Sequence, residues 1–130
     1  MYLKREEGAA AVEFALLLPL LMVLLFGIIE FGLILYFQGV VASASREGAR
    51  HGIVVSRPTD VKAWTETYSQ DFLPSPGATA DVTYGSGLAG TALTVTVNYD
   101  YSYLVIANLI PGLTPDGMIH LSSTTTMYYE

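Results

Sequence analysis

The stretch AAAVEFALLLPLLMVLLFGIIEFGLILYF, Ala9 to Phe37, decides how the rest of the chain must be read. Within it Phe14–Ile29 is an apolar run of 16 residues containing one proline, Pro19. As a helix this run measures roughly 24 Å, short of a hydrocarbon core of about 30 Å. The alanines before it and Phe31–Phe37 after it supply the missing length. A secretory signal peptide has an apolar run of about 7–15 residues followed closely by a small-residue cleavage site. This run is too long for that, and the small residues at Ala42–Ser45 lie too far beyond it. The stretch therefore predicts a transmembrane helix. Pro19 removes one backbone hydrogen bond and is read as a kink of the sort membrane helices tolerate.

Two carboxylates mark this helix, Glu13 and Glu30. They are seventeen positions apart, roughly 26 Å along the axis of a helix. A charge at the bilayer centre costs at least about 2.5–3.5 kcal/mol and less toward the edge. Each glutamate can therefore sit at one face of the membrane. Glu30 lies in FGIIEFG between Gly27 and Gly32, and small residues let helices approach closely. Two readings follow for it: a polar contact between packed helices, or a carboxylate at the far membrane edge. Tyr36, Phe37 and Gln38 read as an aromatic and polar interface belt.

Beyond the belt, GVVASASREGARHGIVV is rich in alanine and free of proline, which extends the same helix to about Val54. A helix from Ala9 to Val54 is about 69 Å long, more than any bilayer, so its second half must project. Arg57 precedes Pro58, which disfavours helix and marks a boundary. Glu47, Arg50 and His51 lie at spacings of three and four, where weak ion pairs form on a solvated or subunit-facing surface. Residues 59–73 predict a short amphipathic helix, capped by Thr59 or Asp60, with Val61, Trp64, Tyr68 and Phe72 on its core face and Pro74 and Pro76 as its stop. The remainder reads as β: a strand at ADVTY, a glycine-rich connection, then LTVTVNYDYSY with Leu93, Val95, Val97, Tyr99, Tyr101 and Tyr103 on one face. An apolar connection with two prolines leads to a last Ser/Thr-rich strand, IHLSSTTTMYYE. The small sheet needs helical cover, which the short helix and the projecting half of the long one provide. The fold class is α+β.

Charge and composition narrow the function. The chain is 52% hydrophobic, 14% charged and carries a net charge of −6. Nucleic-acid partners are excluded, since phosphate contacts need clustered Lys and Arg. No cysteine is present, so there is no disulfide or thiolate metal site. No phosphate-binding glycine loop, paired-histidine zinc helix or nucleophile motif occurs. Glu47 with His51 is too sparse for a catalytic pair, and His120 reads as structural or exposed. No enzyme activity, cofactor or metal is expected.

One spacing remains. Gly8 is followed by AAAV and then by Glu13-Phe14, immediately before the apolar run, and ASREGAR follows downstream. This pattern resembles the type IV prepilins, and over Gly8 to Arg57 it resembles the TadE-like pseudopilins of the tight-adherence (Flp) pilus system. The resemblance implies a leader of residues 1–8, cleavage between Gly8 and Ala9 by a prepilin peptidase, and recognition through Glu13 and Phe14. It further implies a helical region 9–56 and an α+β domain 57–130 outside the inner membrane, with Gly8 on the cytoplasmic side. Charge does not fix that orientation, because Lys4 and Arg5 face Arg46, Arg50 and Arg57 across the span. Implied partners are other pilin and pseudopilin subunits and the pilus assembly platform. In such pilins Glu13 pairs with the new amine of a neighbouring subunit, setting register. The alternatives are a single-pass envelope domain that binds a partner without polymerising, or a large-domain subunit that itself builds a filament.

Overall fold

The computed structural model describes residues 3–54, 58–85, 88–105, 112 and 116–130. Helix α1 runs from Leu3 to Val54, 52 residues that pass through the Gly8–Ala9 bond and Pro19 without a break. Its C-terminal limit falls where the sequence places it. Helix α2 spans Pro58–Gln70. It opens on Pro58, whose fixed φ and missing N–H suit a first helical turn, so Thr59 and Asp60 lie inside the helix rather than capping it. The expected boundary at Arg57 lies outside the described residues.

Strands β1 (Thr79–Tyr84), β2 (Ala92–Ser102) and β3 (Met118–Tyr128) form one antiparallel sheet in the order β1-β2-β3. Thr79 pairs with Asn98 and Tyr84 with Leu93 across the first ladder. Ala92 pairs with Tyr128 and Ser102 with Met118 across the second. The predicted alternation of β2 holds: Leu93, Val95, Val97, Tyr99 and Tyr101 are buried, and the intervening residues face outward. That outer face is built of hydroxyls, with Thr94 bonded to Thr126 and Thr96 to Thr124, each at 2.9 Å.

The inner face is covered by the C-terminal half of α1 and by α2. The buried positions of α1 are Glu30, Phe37, Val41, Ala44, Ser45, Gly48, Ala49 and Gly52, a stripe at helical spacing. Phe37 is therefore core. Its ring lies 5.6 Å from Tyr99 and 5.2 Å from Tyr101, so the expected interface belt is reduced to the exposed Tyr36. REGARHG is likewise only half solvated. Arg46 and Arg50 point outward, while Gly48, Ala49 and Gly52 face the core. A methyl group at Gly48 would strike Thr65 of α2, and one at Gly52 would strike Leu93 of β2. These two glycines let three elements meet on one side of a helix.

The core face of α2 also differs from expectation. Val61, Thr65 and Ser69 are its buried row, with Leu73 just beyond. Thr65 and Ser69 bond back to the carbonyls of Val61 and Glu66, at 2.7 and 2.8 Å, which removes the cost of burying their hydroxyls. Trp64, Tyr68 and Phe72 form a half-exposed stack beside that row, and His51 of α1 lies flat on Trp64 with centroids 4.6 Å apart. Close approach to Gly48 demands a small residue on α2, and Thr65 meets that demand where Trp64 could not.

Candidate functional site

The sheet runs along the helix, and this alignment organises everything else. Near the far end of α1, Gly52 lies against Leu93, and the Tyr129 hydroxyl donates to the Gly52 carbonyl at 3.3 Å. Midway, the buried Ser45 hydroxyl lies 3.0 Å from Ser123 Oγ and 2.9 Å from Thr125 Oγ1. Gln38 then donates to the Ser122 carbonyl at 3.2 Å, and Phe37 meets Tyr101. Strand β2 thus descends toward the apolar end of α1, and β3 climbs back from it.

Glu30 closes that end. Only 2% of it is exposed. Its carboxylate accepts a hydrogen bond from the Tyr101 hydroxyl at 2.5 Å, from the Leu104 amide at 2.8 Å and from the Val105 amide at 3.2 Å. Burial, and then the bond to Glu30, push the Tyr101 phenol above its ordinary range. Neither sequence reading of Glu30 describes this arrangement. The carboxylate neither lies open at a membrane edge nor faces outward to another helix; it holds the end of β2 against α1 within one chain. Gly27 and Gly32, by contrast, are open, with nothing within 4 Å of a methyl placed at either. At 100° per residue Glu30 and Gly32 point nearly opposite ways, so Gly27, Glu30 and Gly32 share no single contact face.

N-terminal to Glu30 the helix is largely exposed, with Phe26 and Gly27 half-buried. From Gly8 to Ile29 no side chain is buried. Glu13 and Phe14 are exposed, and Gly8 and Ala9 lie in uninterrupted helix. Ala9 and Glu13 are one turn apart on the same face. The segment is long and apolar enough to cross a membrane.

Two further features stand apart from the helix end. An open groove of about 460 Å³ runs between α1 and α2, lined by Leu35, Tyr36, Gly39, Val40, Tyr68 and Phe72 among others. On the outer sheet face His120 bridges two carboxylates, with Nδ1 2.6 Å from Asp100 and Nε2 3.1 Å from Asp116. These bonds, that to Asp100 foremost, raise the His120 pKa above its ordinary value. Asp116 is lowered, chiefly by the Met118 amide and its own. The sequence showed no partner for His120; the β2–β3 register supplies Asp100 and the connection supplies Asp116. The two ring nitrogens point in opposite directions, and among the described residues no group of three such side chains could hold a metal ion. Glu47 lies 4.0 Å from Arg50 at an exposed i,i+3 pair, and His51 is turned onto Trp64, so the two are engaged separately.

Residues 8–50 match the family model described as TadE-like protein, a span that starts at the glycine and ends inside α1, before α2 and the sheet. No curated protein and no solved structure matches the chain.

Proposed function

We propose that the chain, whose residues 8–50 match the TadE-like family model, is a minor pilin of a tight-adherence pilus. In this reading it is cut between Gly8 and Ala9 by a prepilin peptidase and packed with other subunits through α1. The supporting observation is that the family match, residues 8–50, takes in Gly8–Ile29, where no described side chain is buried and most are exposed to lipid or to neighbouring subunits. The domain is carried on the C-terminal half of α1. Orientation with Gly8 toward the cytoplasm belongs to the same proposal, as do the peptidase, the fellow subunits and the assembly platform as partners. The role is architectural rather than enzymatic, without cofactor or metal.

Cleavage after Gly8 creates an amine on Ala9 that is largely protonated at neutral pH. Glu13 lies one turn away, exposed and able to meet that amine or a neighbour's. Breaking a buried pair of this kind leaves an uncompensated charge, at a cost of about 3–5 kcal/mol. Register between subunits would follow from that cost. Intact-mass analysis of the membrane protein, with and without the peptidase, tests the reading. The expected masses are those of residues 9–130 with the enzyme and of the whole chain without it. The same uncleaved mass in both would leave the anchored, non-polymerising domain as the better account. Glu13→Gln tests register separately, since it should be cleaved yet fail to enter filaments.

A further inference from the structure

No residue from Ala9 to Ile29 is buried, a stretch about 31 Å long, and a hydrocarbon core is about 30 Å thick. The first buried residue is the next one, Glu30. Helical side chains tilt toward the N-terminus, so the Glu30 carboxylate, with the Leu104 and Val105 amides bonded to it, lies on the membrane side of its own Cα. The β2–β3 connection therefore begins at the depth where the hydrocarbon ends. The described residues at its two margins expose apolar side chains: Leu104 is 64% exposed and Met118 42%. Between these two residues the sequence holds one charged group, Asp116, which is bonded to His120 on the outer sheet face. Exposed apolar side chains at both margins suit a position at the lipid interface.

We propose that the domain sits flush on the bilayer and that Leu104 and Met118 contact the lipid surface beside α1, giving the chain a second membrane contact. The lipid leaflet is favoured over a second copy of the chain because the patch adjoins the end of the span. The proposal rests on α1 crossing the membrane.

Full-length chain bearing Trp64→Phe is reconstituted in phosphatidylcholine vesicles with or without brominated acyl chains. Single reporters are Leu104→Trp, Met118→Trp, Val23→Trp in the span, and Leu88→Trp in the β1–β2 connection. That connection joins the Gly52 end through the bond from the Gly90 amide to the Tyr129 carbonyl. It is thus about 33 Å along α1 from Glu30. The expected result is strong quenching at Val23, and quenching at Leu104 and Met118 several-fold greater than at Leu88. Quenching at Val23 with none at Leu104 or Met118 overturns the second contact while leaving the span intact. A blue-shifted Leu104 reporter insensitive to bromine means a protein contact and also overturns it. No quenching at Val23 removes the span itself, and with it the basis of the proposal.

Discussion

Tyr101 donates its hydroxyl to Glu30 across 2.5 Å, joining the middle strand of the sheet to the first buried residue of α1. A buried carboxylate bonded in this way fixes where the domain begins along α1. Glu30→Ala would strand the Tyr101 hydroxyl and the Leu104 amide, at an expected cost of about 1.5–3 kcal/mol. The double variant Glu30→Ala with Tyr101→Phe should cost less than the sum of the two single losses, because the pair acts as a unit. Denaturant unfolding in mild detergent measures the cycle; additive effects would show that the two groups do not cooperate.

The glycines of α1 divide into two classes, and alanine should separate them. Gly52→Ala drives a methyl into Leu93 and is expected to destabilise the domain by about 1–3 kcal/mol. Gly27→Ala and Gly32→Ala meet nothing and should leave the unfolding midpoint unchanged or slightly raised, since alanine favours helix. If either of these two impairs assembly while leaving stability alone, the affected contact is between subunits.

Ser45 is buried among hydroxyls from β3. Ser45→Ala leaves Ser123 and Thr125 facing a methyl, and a loss of about 1–3 kcal/mol is expected. Ser45→Thr should not rescue it, because the extra methyl enters a filled site. Thermal melts followed by circular dichroism give the ranking.

His120 offers a pH test. Its pKa is raised in the folded chain, so its pairing with Asp100 and Asp116 is fully present below the unfolded value near 6.5 and fades as pH rises through the higher folded value. The group is exposed, so the effect belongs to local order rather than global stability. An NMR titration of the imidazole should place the midpoint above 6.5 and move it down more for Asp100→Asn than for Asp116→Asn. A midpoint unaffected by either change would mean that the bridge does not form in solution.

Periodicity made the elements legible. Alternation in β2 exposed its buried face residue by residue, and the end of α1 could be placed from the chemistry before Pro58. Which face of α1 turned inward was not legible, because most of the buried stripe is built of small residues, Ala44, Ser45, Gly48, Ala49 and Gly52, that carry little hydrophobic signal. The partners of Glu30 were not legible because the Tyr101 hydroxyl and two backbone amides lie more than seventy positions away and have no charge to advertise them. In REGARHG the charges drew attention to the solvated face, while the packing was done by Gly48, Ala49 and Gly52, whose contribution is absence of bulk. The stack of Trp64, Tyr68 and Phe72 looked like core for the converse reason: large side chains suggest burial, but close approach to Gly48 required Thr65. The spacing of Gly8 and Glu13 was legible as a pattern, and the family match begins at that glycine.

Because α1 carries both the candidate span and one wall of the domain core in one unbroken helix, no hinge separates the two. The azimuth of the sheet about the membrane normal is then set by helical phase alone. One residue inserted between Ile29 and Glu30 would swing the whole domain by about 100° and lift it by about 1.5 Å, presenting a different side to any neighbour while leaving every contact inside it intact.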